Sequence, residues 1–369
     1  MTMRAWPQKT LAGLASCLLA ALPLGAANTP LFRHALERWP ASDYEVVVFH
    51  RGEMDTAGQM LVDQLRIARG QVFANIEVKA VDVSDPMEAA MENLWGCQTN
   101  PLSPWVVVRA PDTSADASPV WSGHLTESMV DALLDSPARR KIAESLLRGA
   151  TAVWILRESG EDTRDEAAVD TLSAELKRLE KTLTLPKAAP GEPKLRSPLS
   201  LEVDFALVRV TRTDPAEEFL LTLLQHGKPL FSARPAAFAV YGRGRMLGGL
   251  VGREIEAEAI KAACSSLVAA CTREAKDQNP GRDLLLAANW NSIFDPAAGK
   301  NPGAAAIPAA IPATSGLTPA SPPASPPAGP PSGERASGWR IYLLLAVFTV
   351  TVAAVLVRRA KGPRSGGLQ

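Results

Sequence analysis

The chain has 369 residues, with 39 basic and 39 acidic side chains, four cysteines and thirty prolines. At about 100–200 residues per domain the length suits two domains. Balanced charge excludes a general polyanion binder, whose affinity rests on a basic surface, and a hydrophobic fraction of 46% excludes global disorder.

In chain order, Arg4 and Lys9 precede an apolar run over residues 11–24 and then Gly25-Ala26-Ala27. That succession predicts a secretory signal peptide over residues 1–27, cleaved after Ala27; the apolar run is too short to span a bilayer comfortably. Leu14-Ala15-Ser16-Cys17 also resembles a bacterial lipobox, which would lipidate Cys17. Continuation of the apolar run past the cysteine favours plain cleavage.

Residues 28–150 alternate between strand and helix. Val46-Val47-Val48-Phe49 lie in a buried strand over 44–49, and Met60, Leu61, Leu65 and Ile67 have helical spacing over 56–69. A strand over 76–83, a helix over 86–94, a proline-opened strand over 104–109, a short strand over 119–123 and a helix over 127–147 follow.

Residues 151–295 repeat the scheme. A strand over 152–157 leads to a helix over 162–183, whose Val169, Leu172, Leu176, Leu179 and Leu183 share one face. Its acids lie early and its bases late, complementing the helix dipole. A strand over 201–211 and a helix over 215–225 come next. Pro235 then opens a strand over 237–241, Gly242-Arg243-Gly244 turns into a strand over 246–251, and a helix runs over 254–272.

Residues 296–338 contain eleven prolines and no charge between Lys300 and Glu334, so they read as an extended spacer. A PxxP-type ligand is the other use of such a segment. Residues 341–357 are uncharged, with Trp339 and Tyr342 at one edge and Arg358, Arg359, Lys361 and Arg364 beyond the other. This pattern predicts one membrane span over 339–358 and a basic cytoplasmic tail over 359–369. The four bases fit poorly with a GPI signal. The bulk of the chain is expected outside the cytoplasm, periplasmic or at the cell surface. With the bases of both ends set aside, that bulk is mildly acidic.

The order β-α-β-α-β-β-α, with Pro104 opening the third strand of one unit and Pro235 in the equivalent place of the next, resembles a tandem thioredoxin-like fold. The resemblance implies two α/β domains, over residues 28–150 and 151–295, and a proline, normally cis, beside a redox site. It also implies a Cys-x-x-Cys at the start of the first helix, where this chain has Glu53-Met54-Asp55-Thr56-Ala57-Gly58. Disulfide exchange at that place is therefore excluded. Redox-inactive members of the fold serve as recognition modules, so the resemblance implies a scaffold for a protein partner in the cell envelope, with no catalytic residue and no cofactor.

The mature chain retains Cys97, Cys264 and Cys271. Within one predicted helix, Cys264 and Cys271 would be about 10.5 Å apart along the axis, beyond disulfide reach. Buried packing is expected of them, with a redox pair or sensor, Cys97 included, as the alternative. Arg243 and Arg245 sit in a G-x-G-x-x-x-G stretch that could hold an anion, although a hairpin turn explains its glycines more simply. His34, His50, His124 and His226 are too scattered for a metal site, and no serine-hydrolase elbow occurs.

Overall fold

The computed structural model describes residues 28–111, 117–187, 194–225 and 233–295. The expected signal peptide, spacer, membrane span and basic tail lie outside the described residues, as does His226. Among the described residues no helix is long and apolar enough to cross a membrane.

A helix α1 (Leu31–Arg38) precedes β1 (Tyr44–His50), α2 (Thr56–Gln71), β2 (Ile76–Asp82), α3 (Ala89–Gly96), β3 (Trp105–Arg109) and β4 (Trp121–His124). Helices α4 (Glu127–Leu134) and α5 (Pro137–Leu147) lead to β5 (Ala152–Arg157), α6 (Asp162–Thr182), β6 (Phe205–Val210), α7 (Glu218–Gln225) and β7 (Ala236–Tyr241). The short strands β8 (Arg245–Met246) and β9 (Leu250–Val251), helix α8 (Ala257–Val268) and β10 (Arg282–Asp283) complete a mixed α/β fold with two sheets.

The first sheet has the order β2-β1-β3-β4. Strands β1 and β2 are parallel, while β3 is antiparallel to both β1 and β4. The second sheet repeats this arrangement as β6-β5-β7-β8 and adds β10 beside β8, with β9 pairing β7. The central strands of both sheets are apolar on both faces, as expected where helices cover each side. Val46-Val47-Val48 and Val106-Val107-Val108 are fully buried, and every residue of β5 and β7 is buried.

One hydrophobic cluster joins the sheets. Val62 and Leu65 of α2, Ile142 and Leu146 of α5, Leu220 and Leu224 of α7 and Leu284-Leu285-Leu286 after β10 pack together with Val46 and Ile155. A second cluster lies on the far face of the second sheet, where α1, α6 and α8 cover Trp154 and Tyr241. All described residues belong to one compact unit.

Several elements differ from expectation for identifiable reasons. The helix expected over 127–147 breaks at Asp135-Ser136-Pro137: the residue before a proline is driven to extended geometry, and Pro137 restarts the helix at its first position. Ser136 caps the new helix, and buried Glu217 accepts hydrogen bonds from Ser136 Oγ and Ala138 N at 2.6 Å each. The strand expected over 201–211 is confined to β6, and a 3-10 turn precedes α7. The strand expected over 246–251 is divided into β8 and β9, and Gly249 between them passes so close to Phe238 that a Cβ there would lie 2.4 Å from its ring. Helix α8 ends at Val268, where Ala269 turns extended and residues 29–31 take up a β-like pairing with 269–271. Cys271 is therefore outside the helix in which it was expected. Helix α1 and strand β10 were not expected at all.

Candidate functional site

The C-terminal ends of β1 and β2 and the loop before β3 converge at one end of the first sheet, the end where open α/β sheets hold ligands. Strand β1 finishes at His50, beside Asp82 of β2. The chain then turns through Gly52, whose φ of +63° is a left-handed conformation that glycine adopts without strain. Asp82 Oδ1 accepts hydrogen bonds from Gly52 N at 3.0 Å and Ser84 N at 2.8 Å. Those bonds, from Ser84 first and then Gly52, hold its carboxyl below the ordinary aspartate value. His50 Nδ1 donates to Gly52 O at 2.8 Å and lies 4.0 Å from Asp82 Oδ2.

Asp55 caps α2 by accepting from Gly58 N at 2.7 Å. Gly58 is buried against the proline loop, where an added Cβ would come within 3.8 Å of Pro104 Cγ. The Ser103–Pro104 peptide bond is cis. Pro104 O accepts from Leu125 N at 3.0 Å and His124 Nδ1 at 2.9 Å, and Ser103 Oγ accepts from Arg51 N at 3.1 Å. The Pro104 loop and the first turn of α2 thus face each other. Glu53, Asp55, Thr56, Leu102 and Ser103 are exposed around them.

This arrangement has polar groups but no activated nucleophile. The Ser103 hydroxyl oxygen and His50 Nδ1 both engage backbone groups, and no thiol lies in the 50–58 turn. Among the described residues no group of three or more His, Cys, Asp or Glu side chains could hold a metal ion.

The remaining candidate residues are dispersed. Cys97 is exposed at the end of α3, whereas Cys264 and Cys271 are buried on the outer side of the second sheet; all three are free thiols. Burial pushes the Cys264 thiol up to about 12, with the Trp154 indole opposing in part. Burial also pushes Cys271 up. Both effects disfavour the thiolate needed for exchange. Pro235 is buried at the mouth of β7 and accepts from Gly252 N at 2.9 Å; among the described residues the cis bond is the one at Pro104.

Gly242 and Gly244 adopt the positive φ values expected of a hairpin turn. Arg243 Nε donates to Leu36 O at 2.8 Å, which fastens α1 to the turn. Arg245 is buried and pairs with Asp283 at 3.2 Å while donating to Asn279 O at 2.7 Å. These guanidinium groups bind the fold's own carbonyls and carboxylate.

The His50–Asp82 pair, and Arg234 and Arg253 close to Pro235, escaped sequence reasoning. Their proximity is created by strand pairing and loop contact, and no local spacing announces it. No protein-family model matches the chain, and a search of curated proteins likewise finds no match.

Proposed function

We propose that this is an exported, membrane-anchored protein whose two thioredoxin-like units lack redox chemistry and bind a protein partner of the cell envelope. The observation that carries this reading is the thiol-free first turn of α2 set against Pro104 in a sheet of order β2-β1-β3-β4. Repetition of that order in the second sheet supports a tandem pair. The exposed rim contributes a contact surface: Leu102, 67% exposed beside Pro104, is a large apolar side chain on a loop held by hydrogen bonds. Export, spacer and anchor rest on the composition of residues 1–27 and 296–369.

A photo-crosslinking amino acid at Leu102, in the full chain in its native membrane, tests the proposal. The expected result is a discrete protein adduct, absent when the same group replaces Thr182 on the second sheet's outer helix. Isolated full-length protein should also fail to reduce insulin disulfides. Disulfide reduction that disappears on Cys97→Ala or Cys264→Ala would overturn the proposal, as would cross-linking no stronger at Leu102 than at Thr182.

A further inference from the structure

At the second proline-opened strand a cleft of about 830 Å3 lies between α6 and the loops around Pro235 and Gly252. That volume is within the range of small-ligand sites. Ala168, Pro235 and Ile255 supply buried apolar lining. Arg164 borders the cleft from α6, while Arg234 and Arg253 border it from the loops.

The arginines are differently engaged. Arg164 pairs with Glu161 at 3.1 Å, but both side chains are more than half exposed, so that pair is weak. Arg234 and Arg253 have no ion pair with a carboxylate among the described residues. The stem of Arg234 rests on Gly252, where an added Cβ would lie 3.0 Å from Arg234 Cδ; the φ of +58° also favours glycine there. Glu254 is the carboxylate in the lining, and its Oε2 accepts a hydrogen bond from Val251 N at 2.9 Å. The cleft therefore combines arginines on two sides with buried apolar lining and one carboxylate held by the backbone.

We infer that this cleft binds an aliphatic dicarboxylate. Its carboxylates meet arginine forks on the two sides, and its methylene chain lies against Pro235 and Ile255. Arginine suits this role because its planar donors match both carboxylate oxygens. The inference goes beyond the protein-binding role, and the cross-linking result at Leu102 does not bear on it.

Calorimetric titration of the full chain in detergent micelles provides the test, with glutarate, butyrate and inorganic phosphate as probes. Glutarate should bind saturably with a Kd of about 1 mM or tighter, and butyrate at least about tenfold more weakly because it lacks the second charge-assisted contact. Arg234→Gln and Arg253→Gln should each weaken glutarate about tenfold or more. Arg253→Lys should fall in between, since it keeps the charge and loses the fork. Glu254→Gln should tighten binding by removing a like charge, a gain that a purely structural role would not produce. Thermal melting verifies that each variant is folded. Absence of saturable glutarate binding, equal affinity for butyrate, tighter binding of phosphate, or indifference to both arginine-to-glutamine changes in folded protein would each overturn the inference.

Discussion

Asn75 offers a direct test of how the two sheets are joined. It lies between α2 and β2, is 7% exposed, and bonds to two distant parts of the chain. Its Nδ2 donates to Ser42 O at 2.8 Å and Leu284 O at 3.1 Å, while its Oδ1 accepts from Leu286 N at 2.8 Å. Asn75→Ala leaves three backbone groups without these partners. At about 1 kcal/mol or slightly more for each, the loss should come to roughly 3–4 kcal/mol. Total stabilities are about 5–15 kcal/mol, so the change is a substantial fraction of the whole. Urea unfolding of the full chain in detergent, followed by tryptophan fluorescence, should show the midpoint falling by about 1 M. Asn75→Asp provides a control of sign. Its carboxylate would face two carbonyl oxygens, raising its pKa in the folded state. The variant should therefore lose stability as pH rises through that value and recover part of it in acid. A midpoint shift for Asn75→Ala under about 0.3 M, equivalent to less than about 1 kcal/mol, would refute the clamp.

Further expectations concern the other joints and the thiols. Gly242→Ala should destabilise the fold by roughly 2–4 kcal/mol, because φ is +59° and the new methyl would lie 2.6 Å from Ala35 Cβ; thermal melting measures it. Glu217→Ala should cost roughly 3 kcal/mol by removing both bonds that organise the start of α5, seen as a lower melting temperature and faster amide exchange at 138–141. Maleimide should modify Cys97 rapidly and reach Cys264 and Cys271 only on unfolding, as mass spectrometry of digests would reveal. For Glu45, burial pushes the carboxyl up, but hydrogen bonds and charge from Lys79 and Arg109 outweigh it and leave a depressed value. Its stabilisation is therefore present above the ordinary glutamate value and lost as pH falls through the folded one. Glu45→Gln should flatten that part of an acid-unfolding curve.

The legible part of this fold was written in apolar runs and punctuation. Val46-Val47-Val48 and Val106-Val107-Val108 announced fully buried strands, the Leu172-Leu176-Leu179 stripe announced α6, and Gly242-Arg243-Gly244 announced a hairpin. Pro104 correctly marked the mouth of β3. The helix break at Ser136-Pro137 was readable from its cap and proline, but the apolar spacing that runs through it outweighed them. Helix α1 has little length to signal itself: its Leu31, Phe32 and Ala35 become meaningful only under α8 and β7, and its Leu36 only in the cluster that joins the sheets. The segment after β10 lacks periodicity because Leu284-Leu285-Leu286 are all buried, their backbone held in part by Asn75. At the candidate site the proline was readable; the partners of His50, Arg243 and Arg245 were not, since they belong to other strands and loops.

The N-terminal helix has a consequence for events in time. Leu31 and Phe32 leave the ribosome early, yet the surfaces that bury them, Tyr241 on β7 and Leu267 on α8, are encoded more than 200 residues later. At about 5–20 residues per second, the helix waits roughly 10–40 s for its seat to exist. The first sheet is completed later still, because Leu284 and Leu286 close its core from almost the end of the described chain. Completion must therefore follow synthesis of nearly the whole unit, and in the interval the early apolar segments are available to whatever machinery holds unfolded chains.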